Sequence, residues 1–319
     1  MDVESVIKFA PVYKPVIWGG TRIAAFKGVP APDPHVGESW ELSAMAGRES
    51  TVSEGPLAGQ TLPQLIERYG AELLGSRCGG EFPLLIKLID SNDDLSIQVH
   101  PDDALARKRH GCPGKTELWY SIDPLPGAYL YAGFNRRMTP EEFRRRIGDN
   151  TLTQTLRRFP VGRGDVFFLP AGRVHSIGRG NLVLEIQQAC DVSYRIYDYG
   201  RPRELHIDES LAAVDFADTS AEAHTVHPRP GKFTLVESCE HFTVRVGRVV
   251  GPTAIPLLPG ESFTALTSIS GNAVLRDAAG RETRLHQGET ALVPASTGRL
   301  TATGPATIVT VAYGPSESI

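Results

Sequence analysis

Four side chains that could bind a metal ion occur in three short segments of the chain. Gln98 and His100 lie two positions apart, Glu117 follows a lysine by two positions, and His175 ends a short turn. Two imidazoles and one carboxylate suit a first-row divalent ion, and the Gln98 amide would be a fourth, neutral ligand. With a single carboxylate the site keeps net positive charge. It could therefore polarise an oxygen of an anionic or hydroxyl-rich substrate.

The segment that carries Gln98 and His100 has the two-residue period of a β-strand. Ser96 shares their face, whereas the alternate positions of 95–100 are apolar. Three polar side chains on one strand face indicate a polar cavity, although an exposed strand face would give the same pattern. Lys115 and Glu117 share a face in the same way, and a surface ion pair is the alternative there.

A fourth segment, 185–201, mixes carboxylates, amides and arginines with few residues suited to a core. Glu185 and Asp191 could take part in proton transfer, and Arg195 and Arg201 could bind a phosphate group. The competing interpretation is the end of a strand followed by an ion-paired loop.

Composition limits the ligands that the chain can take. The 319 residues are 41% hydrophobic and 22% charged, with a net charge of -4, which argues against nucleic acid as the main ligand. The N-terminal residues do not resemble a signal peptide, and no window has the length and apolar character of a membrane span. The four cysteines are widely spaced and match no Cys-rich metal motif. We expect a cytoplasmic protein with reduced thiols.

Many short apolar runs, punctuated by 32 glycines and 24 prolines, predict a mainly β fold with small helical insertions. Strands are predicted at 83–90, 95–100, 164–170, 182–188, 242–249, 273–276 and 306–312. Helices are predicted at 62–74, at 101–109 and over 141–159, the last one interrupted near 148–150. Thr139-Pro140 is a strong start for that third helix, because it supplies a capping hydroxyl and a proline in the first turn.

A weak internal repeat predicts two related β modules. Residues 164–172 and 288–296 both read as a turn, a strand and a proline-bounded exit, but only the first copy continues to a histidine. We therefore expect a metal-binding catalytic domain over 1–216, with a helical insertion at about 139–159. A linker over 217–232 and a C-terminal β module over 233–319 without metal ligands would follow.

Several segments, in the correct order, resemble the motifs of type I mannose-6-phosphate isomerases, most closely the short bacterial form. They are YKPVIWGG (13–20), VGESWELS (36–43), SIQVHPDD (96–103), GKTELWYSID (114–123), PAGRVHSIGRGN (170–181) and EIQQACDVSYRIYDYGR (185–201). The resemblance covers roughly residues 8–215. It implies a cupin fold of two jelly-roll β-barrels, the first of which binds one Zn2+ per chain.

The resemblance also implies roles for individual residues. Gln98, His100, Glu117 and His175 match the family's four metal positions. Arg195 matches the position described as catalytic, and Lys115, Glu185 and Asp191 match active-site positions. Ser96 and Arg201 match substrate and phosphate positions, although longer relatives carry a lysine where this chain has Arg201. The chain lacks much of the helical insertion of those relatives, which would widen the pocket.

The implied reaction interconverts mannose-6-phosphate and fructose-6-phosphate through an enediolate. Arginine is too basic to accept the proton, so the base could be Glu185, Asp191, Lys115 or a zinc-bound hydroxide. The same ligands would also accept manganese or cobalt. Two alternatives are a non-catalytic sugar-binding or regulatory cupin and an Fe(II) oxygenase built on the two-histidine, one-carboxylate set. The sequence does not indicate the oligomeric state.

Overall fold

The computed structural model describes residues 5–316, which form four β-sheets with a few short helices. The first thirteen strands are β1 (Ile7–Ala10), β2 (Val12–Gly20), β3 (Val36–Leu42), β4 (Thr51–Val52), β5 (Leu84–Ser91), β6 (Ile97–Val99), β7 (Glu117–Ser121), β8 (Tyr129–Phe134), β9 (Leu156–Pro160), β10 (Asp165–Leu169), β11 (His175–Ile177), β12 (Asn181–Gln188) and β13 (Tyr194–Tyr197). The remaining strands are β14 (Ala223–Thr225), β15 (Phe233–Ser238), β16 (Phe242–Val249), β17 (Thr253–Ala254), β18 (Thr264–Gly271), β19 (Ala273–Asp277), β20 (Glu282–Leu285), β21 (Thr290–Val293), β22 (Leu300–Thr303) and β23 (Ala306–Tyr313).

Within residues 5–316, six α-helices connect the strands, and their ends follow local sequence signals. They are α1 (Arg22–Lys27), α2 (Leu62–Tyr69), α3 (Ala71–Leu74), α4 (Asp103–His110), α5 (Pro140–Gly148) and α6 (Ile207–Ala213). Short 3-10 turns lie at 76–78 and 152–155. Thr61 forms a reciprocal capping box with Gln64 at the start of α2, and Thr139 accepts a hydrogen bond from Glu142 N–H at the start of α5.

The four sheets pack as successive layers. A five-stranded sheet (β13-β6-β11-β8-β9) packs on a seven-stranded sheet (β14-β10-β7-β12-β5-β3-β2), because one apolar cluster contains residues of both. The other face of that seven-stranded sheet packs on a second one (β15-β16-β23-β18-β21-β1-β4), which in turn packs on the four-stranded sheet β17-β22-β19-β20. Helices α5 and α6 cover the outer face of the five-stranded sheet. The predicted mainly β class is confirmed.

The first seven-stranded sheet is covered on both faces, which explains the composition of its central strands. Every residue of β5 and β12 is buried. One face of these strands carries leucine and isoleucine into the core between the two seven-stranded sheets. The opposite face carries Lys87 and Glu185, which are direct cross-strand partners. Charged residues on a fully buried strand face need partners, so this face is where we expect a polar site.

The helix predicted over 141–159 is correct only in its first part. Helix α5 ends at Gly148, and Asn150 has a left-handed φ of 60° that a continuing helix does not allow. Residues 156–160 are instead strand β9, because β8 offers an open edge with which they pair. The helix predicted over 62–74 divides at Gly70 into α2 and α3. The other predicted strands and the helix at 101–109 are found within a few residues of their expected bounds.

Two strands, one near the start of the predicted catalytic domain and one in the predicted linker, show how the modules connect. Strand β1 pairs with β21 of the C-terminal sheet, and β14, inside the predicted linker, pairs with β10. The boundaries at 216 and 233 stay a prediction. Over residues 5–316, no helix combines the length and apolar character needed to cross a membrane.

Candidate metal centre and adjoining cavity

Three of the four predicted metal ligands converge at one buried point. His100 follows β6, Glu117 begins β7 and His175 begins β11. The Nε2 atoms of the two histidines are 3.1 Å apart, and the Glu117 oxygens lie 3.4 Å and 3.3 Å from them. Each of these side chains is no more than 1% exposed. The spacing is short enough for one ion to contact all three groups.

Backbone carbonyls fix the orientation of both imidazoles. The Val192 carbonyl lies 3.1 Å from His100 Nδ1, and the Arg173 carbonyl lies 2.8 Å from His175 Nδ1. A carbonyl can only accept, so each Nδ1 carries the proton and each Nε2 presents a lone pair to the centre. Among the described residues neither carboxylate oxygen of Glu117 accepts a hydrogen bond of good geometry, although the Lys115 ammonium lies 3.2 Å from Oε2. Three electron-pair donors facing each other in a buried site fit a bound cation.

The protonation states of these groups also suit a metal. Burial, together with the ammonium of Lys115, lowers the pKa of His100 to about 3, and burial lowers the pKa of His175. Burial would raise the pKa of Glu117, but the neighbouring Lys115 ammonium opposes it, and that pKa is held well below its usual value. Both imidazoles are therefore neutral and the carboxylate is ionised at neutral pH, which are the ligating forms.

Gln98 lies in β6, two residues before His100 and directly opposite His175 of β11. It is paired with both His175 and Arg195 in the ladder of the five-stranded sheet, and its side chain lines the adjoining cavity. Lys115 connects the cluster with the cavity, since its Nζ is 3.1 Å from His100 Nε2 and 3.2 Å from Glu117 Oε2.

The cavity has a volume of about 310 Å3 and is rich in cations. Five cationic and three acidic side chains line it, namely Lys14, Lys87, Lys115, Arg195, Arg203, Glu38, Glu185 and Asp191. The excess of two positive charges favours an anionic ligand. Trp18, Trp119, Ile89, Leu95 and Ile177 supply apolar walls.

A buried ion pair forms the floor of the cavity. Lys87 Nζ lies 3.1 Å from Glu185 Oε2, and the two side chains are 4% and 5% exposed. Trp119 Nε1 donates to the other Glu185 oxygen at 2.9 Å. Burial and the nearby Glu117 raise the pKa of Glu185, although Lys87 opposes them. Burial disfavours the Lys87 ammonium, but Glu185 and Glu38 more than compensate and raise its pKa.

The structure brings together most of the residues predicted from the sequence. Ser96, Gln98, Lys115, Glu185, Asp191 and Arg195 all line the cavity. Arg195 donates from Nη1 to the Glu204 carbonyl at 2.7 Å, while its buried Nε has no partner among the described residues. Burial and the neighbouring Arg203 lower the pKa of Arg195.

Arg201 is the exception, because it does not line the cavity. Its Nη2 donates to Asp198 at 2.8 Å, and its Nη1 lies 3.7 Å from Asp93. Arg203 lines the cavity and is held by the same Asp198 carboxylate, at 2.7 Å from Nε. Sequence reasoning missed Arg203 although it lies only two positions beyond Arg201.

Lys14, Glu38 and Lys87 were also missed by the sequence analysis. Lys87 carried a usable signal, because it is the one charged residue within the apolar run 84–89. A lone charge in a buried strand requires a buried partner. Lys14 and Glu38 carried no such signal.

The layered β-sheets and the buried His/Glu/His cluster define a cupin with a candidate metal centre beside a cationic cavity. The chain matches a family model described as phosphomannose isomerase type I, catalytic domain, over residues 6–118. Residues 231–313 match a second model, the mannose-6-phosphate isomerase cupin domain.

Whole-chain comparisons agree with these matches. Mannose-6-phosphate isomerase ManA of Bacillus subtilis (strain 168) is 39% identical over 274 residues, which is 82% of this chain and 85% of the relative. The crystal structure of the mannose 6-phosphate isomerase from Bacillus subtilis has a TM-score of 0.84 at 32% identity, covering 97% of this chain and 99% of that one. The chain belongs to the type I phosphomannose isomerase family. The predicted family, enzyme class and cupin fold are confirmed.

Proposed function

We propose that this chain interconverts mannose-6-phosphate and fructose-6-phosphate with one zinc ion per chain, held by Gln98, His100, Glu117 and His175. The convergence of two neutral imidazoles and an ionised carboxylate at one buried point carries the proposal. The names of the family relatives support the choice of substrate. The excess of positive charge in the cavity suits a sugar phosphate, which is anionic.

Two nitrogen donors, one carboxylate oxygen and one amide oxygen make a mixed set that zinc accepts. When bound, the ion acts as a Lewis acid that polarises a sugar oxygen and offsets developing negative charge. Glu185, the carboxylate on the cavity floor, pairs with Lys87 and accepts a hydrogen bond from Trp119. It is therefore not available as a further metal ligand. This leaves a site with net positive charge.

The protein's own residues supply the rest of the chemistry. Isomerisation of an open-chain aldose removes a proton from C2 and returns one at C1 through an enediolate. Arg195 lines the cavity and would place fixed positive charge beside the reacting carbons. Its Nε–H, which has no partner among the described residues, would donate to an oxyanion. Removing such a donor typically slows an enzyme by about 10^2–10^3-fold.

We assign the proton transfer to Glu185. A general base works best when its pKa lies near the operating pH, and burial and Glu117 raise the pKa of Glu185 in that direction. Asp191 is exposed and lies 3.4 Å from Lys14, so it is less enclosed by the cavity than Glu185. Lys115 Nζ lies between His100 Nε2 and Glu117 Oε2, at 3.1 Å and 3.2 Å, so it is placed against the metal ligands.

We assign the main phosphate contact to Arg203, and Arg201 shares the Asp198 carboxylate that positions Arg203. Both guanidinium groups are positioned by the buried Asp198 carboxylate, and Arg203 is the one that lines the cavity. Binding the phosphate there would orient the reacting carbons over Glu185 and Arg195.

A coupled assay of mannose-6-phosphate conversion tests the proposal. Activity should disappear when the metal is removed by a chelator and return when zinc is added. Full activity after complete metal removal would contradict the metal assignment. The absence of turnover in the zinc-loaded protein would contradict the substrate assignment.

A further inference from the structure

Two cysteines with no assigned role lie next to each other beside the metal centre. The Sγ atoms of Cys112 and Cys190 are 3.5 Å apart. A disulfide has a bond length of roughly 2.05 Å, so the sulfurs need to approach by only about 1.5 Å. Cys190 is buried, whereas Cys112 is half-buried and lines a separate cavity of about 620 Å3.

The two cavities lie on either side of the segment between β12 and β13. Gln188 and Ala189 line the cavity of Cys112, which His241 and Tyr313 of the C-terminal part also line. Asp191, only two positions after Ala189, lines the catalytic cavity. A small oxidant can therefore reach Cys112 without entering the catalytic cavity.

Hydrogen bonds connect Cys190 with the metal centre. The Cys190 sulfur accepts from the Val192 N–H at 3.4 Å. The Val192 carbonyl accepts from His100 Nδ1–H at 3.1 Å, the contact that fixes the imidazole orientation. Movement of the Cys190 sulfur would therefore displace the Val192 backbone, which orients the His100 imidazole.

We propose that Cys112 and Cys190 are a redox modification site, whose reversible disulfide disturbs the orientation of His100 and lowers the activity of the enzyme. The activity effect rests on the proposed isomerase function, whereas the disulfide does not. With hydrogen peroxide as oxidant, the Cys112 thiol is oxidised to a sulfenic acid and the peroxide is reduced to water. The Cys190 sulfur then attacks the Cys112 sulfur, and the sulfenic oxygen leaves as water with the thiol proton.

The surroundings of the two thiols set the order of these steps. Burial raises the pKa of Cys190 to about 12, which suppresses its direct reaction with peroxide. Cys112 is therefore oxidised first, and Cys190 acts as the resolving thiol because it is already adjacent. A dithiol reductant returns both sulfurs to thiols and becomes a disulfide itself.

The test treats the zinc-loaded protein with hydrogen peroxide and alkylates the remaining thiols. Mass spectrometry of the unreduced tryptic peptides then identifies any cross-link, since trypsin cuts at several arginines between the two cysteines. We expect a Cys112–Cys190 cross-link and a loss of activity of about tenfold, as when a group that orients a metal ligand is changed. Dithiothreitol should restore the activity.

Matched variants separate this site from general oxidation. Cys112→Ser should retain the initial activity and lose none of it to peroxide, whereas Cys239→Ser should respond as the unchanged protein does. The proposal is overturned if no cross-link forms, if the cross-linked protein keeps full activity, or if Cys112→Ser is inactivated equally. Inactivity before any peroxide is added would instead refute the proposed function, so the two failures are distinguishable.

Discussion

Replacing Lys87 by methionine removes the ammonium group from the floor of the cavity and leaves Glu185 buried without a counter-charge. The two groups are 3.1 Å apart and no more than 5% exposed. At an effective dielectric constant of about 20, charges at this separation attract each other by roughly 5 kcal/mol. Removing one partner of a buried ion pair costs about 3–5 kcal/mol in measured cases. We therefore expect the free energy of unfolding to fall by that amount.

This loss is large enough to measure by thermal unfolding. Unfolding entropy of about 2.1 cal/mol/K per residue gives roughly 0.7 kcal/mol/K for the whole chain, so Lys87→Met should lower the Tm by about 4–8 °C. Lys14→Met is the matched control, because it removes a lysine from the same cavity whose side chain is 23% exposed. A partly exposed pair is worth about 0–1 kcal/mol, so its Tm should change by less than about 2 °C.

A second substitution separates the ion pair from the loss of packing. The double variant with Lys87→Met and Glu185→Gln no longer has a buried carboxylate without a partner. Its loss of unfolding free energy should therefore be smaller than the sum of the losses in the two single variants. A Tm within 1 °C of the unchanged protein for Lys87→Met, measured to about that precision, would refute the reasoning. Additive single effects would refute it as well.

Three further substitutions address the metal ligands and their support. Glu117→Gln should lower zinc affinity and turnover together, as a zinc titration with an activity assay would measure. The loss should be at least the roughly 10–100-fold seen when groups that support a metal ligand are removed. Arg195→Ala should keep its zinc content but lose about 10^2–10^3-fold in turnover, and loss of zinc would show that Arg195 is structural. Asp218→Asn removes the partner of buried Arg173 and should cost about 3 kcal/mol at pH 7 by denaturant unfolding. Burial opposes ionisation of Asp218, but Arg173 lowers its pKa in the folded protein. The stabilisation by this pair is therefore fully present above the unfolded pKa of about 4, and it is lost as the pH falls through the folded pKa. A stability difference that stays constant down to pH 2, well below that value of about 4, would contradict the pairing.

The strands predicted from the sequence are present in the structure because their signals are local, but other strands, such as β8 and β22, were not predicted. The strands predicted at 182–188 and 242–249 are apolar runs bounded by turns, and the structure has them at almost the same residues. Strand β9 was missed because Arg157 and Arg158 fit a helix surface equally well. The open edge of β8, which decides the matter, is a tertiary feature that no local pattern contains.

The candidate site was predictable in its residue types but not in its geometry. The period of two on 95–100 grouped Ser96 with Gln98, without deciding between a cavity and an exposed face. In the structure both line the cavity, and so does Leu95, which that period put on the opposite face. The pairing of Lys87 with Glu185 depends on the register between β5 and β12, and the sequence does not specify that register. The carbonyl of Val192 that orients His100 is a backbone group, so its role leaves no trace in the residue type.

The measurement that bears most directly on the central claim is the rate of conversion of mannose-6-phosphate to fructose-6-phosphate as zinc is titrated into the metal-free protein. The proposed site predicts that activity rises in proportion to zinc and reaches its maximum at one ion per chain. Activity that does not depend on bound zinc, or a zinc-saturated protein without isomerase activity, would contradict it.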